Sequence, residues 1–255
     1  MTRRLTILWC TLLIAPLQWS AAQNADPLAL GDAAYAAFDN ATAVQAYVEA
    51  YRADTTSFEV LTRLARTYGD LAQDYLANDQ RDTAKETFET AIGYADALLA
   101  HHPECAETYF FQAATRGNLA LFAGGKKKVE IGRDVEANIQ RALDIDPDYA
   151  LAYLAYGIFK REVASLSWLQ RNVARLLFGA LPSGSKEEAA DLLRQAVQYD
   201  PSLTRAHFEL AVTLEQIGQK EAAIDAMEEV LALPDINTED QRNRQRAEAL
   251  LDRWQ

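Results

Sequence analysis

The residues of this sequence able to do chemistry are few, and their spacing decides against most reactions. His101 and His102 are adjacent and project in different directions from a helix end, and His207 stands far from both. No cysteine or acidic pattern completes a metal site with them, so no metal is expected. Ser183-Gly184-Ser185 and Gly124-Gly125 are short turns. Gly124-Gly125-Lys126 lacks both the frame of a phosphate-binding loop and a preceding strand. No nucleophile elbow and no paired histidine and acid are present. The expectation is a protein that is not an enzyme and uses no cofactor.

Charged and aromatic positions remain. Lys126-Lys127-Lys128 is the one basic run. It fits contact with anionic lipid or an acidic partner, but Glu130, Asp134 and Glu136 follow at once, and a solvated turn is the simpler reading. Arg171 and Arg175 lie one helical turn apart beside Trp168. That pattern suits a helix touching a membrane. It suits equally well a helix whose apolar stripe of Leu166, Leu169, Val173, Leu176, Leu177 and Ala180 packs into the body of the protein, and the second reading is preferred. Net charge is −12, from 25 Lys+Arg against 37 Asp+Glu, which disfavours nucleic acid as a partner.

The elements that must position these residues are helices. Hydrophobic residues make up 49% of the 255 residues, with only 11 Gly and 7 Pro, and the apolar period is helical almost throughout. Asp26-Pro27, Asp146-Pro147, Asp200-Pro201 and the weaker His102-Pro103 are read as helix starts, a cap followed by proline at the first helical position. Ser185 to Glu188 and Thr238 to Gln241 are read as capping boxes. Small residues recur at set offsets: Gly31, Ala43 and Ala50; Ala65, Ala84 and Ala91; Gly157, Ala189 and Ala196; Ala211, Gly218 and Ala223.

This pattern resembles the tetratricopeptide repeat, in which small residues sit where two helices of a hairpin cross and a large apolar residue plugs the next layer. The proline-marked starts are spaced more widely than the ~34 residues of the regular repeat. The long helices of residues 57–101, turning near Asn78-Asp79, and an inserted helix in 164–184 account for the excess. The expected fold is all-α: a right-handed tetratricopeptide-like solenoid of about five hairpins, one inserted amphipathic helix and a polar C-terminal capping helix over about 238–254.

The inserted segment also resembles the regulator of microtubule dynamics family, through Trp168, Gln170, Arg171, Phe178 and Pro182, with Gly124-Gly125-Lys126 and Asp148-Tyr149-Ala150 upstream. The resemblance spans roughly residues 55–254. It implies a non-enzymatic repeat domain that associates with partners, which in eukaryotic members include microtubules and organelle membranes.

The N-terminus carries an address. Arg3 and Arg4 precede an apolar stretch from Leu5 to Trp19, and Ser20-Ala21-Ala22 offers small residues for cleavage. The stretch contains Pro16 and falls short of the ~20 residues that span a bilayer. The domains expected are a signal peptide, 1–22, and a repeat domain, 23–255, free of any transmembrane helix and exported to the periplasm or cell envelope. The export signal departs from the setting of the eukaryotic relatives and counts against a microtubule role.

Placing the repeat on the sequence gives Arg66, Phe110, Leu154, Arg161 and Phe208 as residues facing a concave groove. No Lys and Asn cluster that would clamp a peptide carboxylate is present, so the groove is expected to bind through apolar and mixed contacts. Two functions follow from this: a scaffold that binds a protein or peptide partner, or a carrier that holds a lipid or other apolar ligand in its lumen.

Overall fold

The computed structural model describes residues 26–167, 176–179 and 181–254. The signal segment and the motif residues Trp168, Gln170 and Arg171 lie outside them.

Five antiparallel hairpins follow one another among the described residues. They are α1 (Pro27–Ala36) with α2 (Asn40–Ala53), α3 (Phe58–Ala77) with α4 (Arg81–His101), α5 (Ala106–Leu119) with α6 (Gly125–Ile145), α7 (Ala150–Ala164) with α8 (Lys186–Tyr199), and α9 (Thr204–Gln216) with α10 (Lys220–Ala232). A single helix, α11 (Thr238–Trp254), follows, and a short 3-10 turn (Ala120–Phe122) precedes α6.

The hairpins close over the small residues that the sequence marks. Gly31 of α1 faces the ring of Tyr47 on α2 so closely that any Cβ there would overlap it. A Cβ on Gly157 would lie 2.6 Å from Leu193 Cγ of α8. Ala84, Ala91, Ala189, Ala196, Ala211 and Ala223 are fully buried. Gly218 serves differently. It makes the turn between α9 and α10 at a φ of +78°, with no neighbour near its Cβ position, so it is a turn glycine and not a crossing residue.

The structure corrects three of the four proline-marked helix starts. Asp146 and Asp200 end α6 and α8, and the next helices begin at Ala150 and Thr204. Each carboxylate turns forward onto the backbone: Asp146 Oδ1 accepts from the Asp148 N–H at 3.1 Å, and Asp200 Oδ1 accepts from the Ser202 N–H at 3.0 Å. An Asx turn thus links two helices where a cap seemed to start one. His102 likewise ends α4. Only Asp26 caps as expected, accepting from the Leu28 N–H at 3.0 Å.

Of the two capping boxes, Ser185 caps α8 through the Glu188 N–H at 3.0 Å. The other shifts by one residue: Asn237 Oδ1 accepts from the Asp240 N–H at 2.8 Å, which frees the Thr238 hydroxyl. That hydroxyl accepts at 3.0 Å from Asn40 Nδ2, on the first residue of α2, and Asn40 also donates to Asp74 of α3 at 2.7 Å. Arg242 of α11 pairs with the same Asp74. The contacts between first helices run from α3 through α5, α7 and α9 to α11, and α11 returns to touch α3. The inner layer therefore closes on itself.

The inserted segment departs from expectation as well. Leu176 and Leu177, placed on a stripe packing into the solenoid, are 86% and 64% exposed. Gly157 already sits against Leu193, and a Cβ on Gly184 would come within 2.6 Å of the Lys160 carbonyl, so α7 and α8 meet directly.

Candidate functional site

The inner face is built from the first helix of each hairpin and from α11, and it is charged. Arg63 of α3 grips Asp32 of α1 with two nitrogens, at 2.5 and 3.1 Å, and Tyr47 donates to the same carboxylate at 2.7 Å. One turn on, Arg66 reaches Glu107 of α5 at 3.6 Å with its side chain 46% exposed. A cavity of about 130 Å³ opens between α1, α2 and α3, lined by Asp32, Tyr35, Tyr47, Arg63, Arg66 and Thr67. Further round, Arg205 of α9 meets Glu239 of α11 at 3.0 Å, and Arg161 of α7 meets Glu209 of α9 at 2.5 Å.

This enclosure moves the protonation of several groups. Burial pushes the Asp70 carboxyl up to about 7, and the nearby Glu239 carboxylate adds to the effect. Tyr35 donates to Asp70 at 2.8 Å and, with Arg66 and Arg205, pulls the other way. Burial also raises Glu107 against the opposing field of Arg66, and it holds the hydroxyls of Tyr35, Tyr47 and Tyr149 above the ordinary tyrosine range.

Two donors on this face stay unmatched. Tyr149 Oη and Arg205 Nε are buried and have no hydrogen-bond partner. Each costs on the order of 1–3 kcal/mol until a ligand or water supplies an acceptor.

Of the residues expected in the groove, Arg66 stands at the cavity, and Arg161 belongs to the charged ring with its guanidinium used by Glu209 and by Thr213 Oγ1 at 3.1 Å. Phe110 is half-buried, edge-on to Tyr149 at 5.8 Å. Leu154 and Phe208 need correction. They are 4% and 1% exposed in the core between the last hairpins, and Phe208 is capped by the Arg246 guanidinium of α11 at 4.4 Å. The extra helix covers a position that faces open space in a plain repeat.

Asp32, Tyr35, Asp70, Arg205 and Glu239 were not singled out from the sequence, and Tyr149 was noted only as part of the family resemblance. Arg205, three residues before Phe208 on the same helix, was within reach of the same argument. The others depend on contacts across 31 or more residues.

Among the motif residues, Phe178 and Pro182 rest on α6, near Gly125 and Gly132. Lys160, also unforeseen, is buried and bonds Glu136 and Glu188, each at 3.1 Å, and the Ser183 carbonyl at 2.9 Å. Burial opposes its charge, but these carboxylates outweigh it and hold the ammonium above the usual lysine range. It ties α6, α7 and α8 together.

The described residues hold no cluster of three or more His, Cys, Asp or Glu able to bind a metal. His102 Nε2 lies 2.6 Å from the Thr56 carbonyl and His207 Nε2 lies 2.9 Å from the Pro201 carbonyl, so backbone contacts occupy both. No described helix is long and apolar enough to cross a membrane.

The family described as Regulator of microtubule dynamics protein 1-3 matches residues 24–255. The chain belongs to this family. Regulator of microtubule dynamics protein 1 of Bos taurus is 28% identical over 144 residues, covering 56% of this chain and 45% of that protein. Regulator of microtubule dynamics protein 3 of Xenopus laevis is 27% identical over 197 residues, covering 76% of this chain and 41% of that protein. The chain thus spans less than half the length of these relatives. A solved thermophilic TPR protein from Thermus thermophilus superposes with a TM-score of 0.61 at 19% identity, over 88% of this chain and 97% of that one. That likeness shows the fold, a tetratricopeptide-like helical repeat.

Proposed function

We propose that this member of the regulator of microtubule dynamics family is a non-enzymatic scaffold of the periplasm or cell envelope. It binds a charged polypeptide segment of a partner protein on its inner face. The observation that carries this reading is the donor capacity left on two cations there: Arg66, 46% exposed with a single long contact to Glu107, and Arg205, which pairs with Glu239 and reaches Glu209 at 4.0 Å but whose Nε has no hydrogen-bond partner. Asp32, Asp70, Glu107, Glu209 and Glu239 stand close by, so the surface offers both signs of charge. A segment bearing carboxylates and ammonium or guanidinium groups matches it. The envelope location rests on the signal pattern of residues 1–22.

The closed inner layer supports a second reading, a carrier with a ligand in its lumen. Against an apolar ligand stands the charged lining of the inner face, with ion pairs from Arg66, Arg161 and Arg205. The microtubule role printed in the relatives' names is set aside for this chain because of the signal pattern read in residues 1–22.

Selection from a random peptide library against purified residues 24–255 tests the proposal. Enriched peptides should carry charges of both signs and bind more weakly as salt rises. Native mass spectrometry of the same preparation tests the carrier reading. A co-purifying lipid, with no peptide enriched, would replace the scaffold by the carrier.

A further inference from the structure

One surface lies outside the inner face. Lys126, Lys127 and Lys128 open α6, and all three are exposed. Lys127 approaches Glu130 at 3.7 Å.

The inserted segment returns to this same end of α6. The Phe178 ring lies 3.6 Å from the Cβ position of Gly125, and the Phe178 carbonyl accepts from Arg133 Nη2 at 2.7 Å. These contacts fix Leu176 and Leu177 beside the lysines with their side chains in solvent, 86% and 64% exposed. Leu121, 53% exposed, stands in the 3-10 turn just before α6. A single exposed leucine is unremarkable. Three of them gathered with three lysines, in a chain of net charge −12, form a patch of a particular kind.

We infer that this end of α6 docks on an anionic lipid bilayer. The leucines enter the boundary between headgroups and acyl chains, and the lysines meet the headgroup phosphates. The chemistry favours a bilayer over an acidic protein. Leucines that stand out into solvent suit a soft apolar layer, whereas protein interfaces are anchored by Trp, Tyr and Arg seated in pockets. The lysines supply the charge complementarity, and the acidic remainder of the chain keeps attachment weak and salt-dependent.

Vesicle flotation with the purified chain tests this. The probes are equimolar phosphatidylglycerol and phosphatidylcholine vesicles, with pure phosphatidylcholine vesicles as the neutral comparison. The chain should float with the anionic vesicles only, and rising salt should release it. Each lysine replaced by Gln should lower partitioning by about fivefold. Leu176→Ser with Leu177→Ser should reduce it to the neutral-vesicle level, with helical circular dichroism unchanged because both side chains are exposed. Arg66→Ala, on the inner face, should float as the parent does. Absence of flotation, equal flotation with neutral vesicles, or flotation unaffected by the lysine and leucine variants would each overturn the assignment. Capture by immobilised polyglutamate without flotation would overturn it in favour of an acidic protein partner.

Discussion

Helix α7 carries both kinds of surface from which this molecule is made. At Gly157 it is bare backbone pressed onto Leu193 and the Ala189 carbonyl, in a seam with no room for a Cβ. One turn later, at Arg161, it carries a guanidinium spread over Glu209 and Thr213. The seam works by shape: small residues let the helices approach, and Leu193, Ala189 and Ala196 are sealed from water. The inner face works by charge kept partly wet. Its arginines and carboxylates are paired across helices, yet Arg66 and Arg205 retain unused donor capacity. A seam filled to contact has nothing left to offer a ligand. A charged face with unmatched donors does, and its ion pairs contribute less to holding the fold.

This division can be broken or sharpened by substitution. The largest effect is expected where sequence reasoning placed a groove residue in what is core. Phe208→Ala should destabilise by about 3–5 kcal/mol, the range for truncating a large buried aromatic, as read by urea melts. A loss below about 1 kcal/mol would return Phe208 to the inner surface. Next comes the seam itself. Gly157→Ala forces a Cβ to within 2.6 Å of Leu193 and 3.1 Å of a backbone oxygen, so it should cost about 1–3 kcal/mol despite alanine's better helix propensity. A neutral result would mean that α7 and α8 slide apart freely.

A pH titration of stability probes the charged face. The Asp70 carboxyl stands at about 7 in the folded protein against an ordinary 3.8. The folded state therefore holds its proton more tightly. Its contribution to stability is complete below the ordinary value and is lost as pH rises through about 7. Between these two values the slope from this one group approaches −1.4 kcal/mol per pH unit. Asp70→Asn should flatten that part of the stability curve while keeping an acceptor for Tyr35. An unchanged curve would show that Asp70 ionises as an exposed carboxylate. The smallest effect belongs to the ring closure. Arg242→Ala removes the partly buried pair with Asp74 and should cost about 1 kcal/mol. Hydrogen exchange should nevertheless quicken at the start of α11, and exchange that stays slow would mean that Asn40 and Thr238 close the ring without help.

The seam was open to reading from the sequence because it is local and periodic: Gly31, Gly157 and the alanines recur at hairpin spacing, and a close crossing demands them. Helix starts were harder, since an Asp-Pro pair serves a cap or an Asx turn equally well, and Asp146 and Asp200 take the turn. Phe208 was misplaced because α11 covers it, Leu154 because it joins the core cluster of the last hairpins, and no feature of either helix announces that cover. The inner face was legible only at Arg66 and Arg161. Its carboxylates become a site through pairs such as Asp32 with Arg63 and Glu239 with Arg205, and the ring itself closes between Asn40 and Thr238, 198 residues apart. Distances of that kind leave no local mark.

With binding proposed on the charged inner face and folding held by the seams, Arg66 separates the two most cleanly. Calorimetric titration of a library-selected peptide into the parent chain and into Arg66→Ala, each with its thermal midpoint, is the direct measurement. The account predicts at least a tenfold weaker Kd for the variant, in line with about 1.5–3 kcal/mol for a hydrogen bond to a charged group, and a midpoint within a few degrees of the parent. Equal affinity in both chains would contradict it.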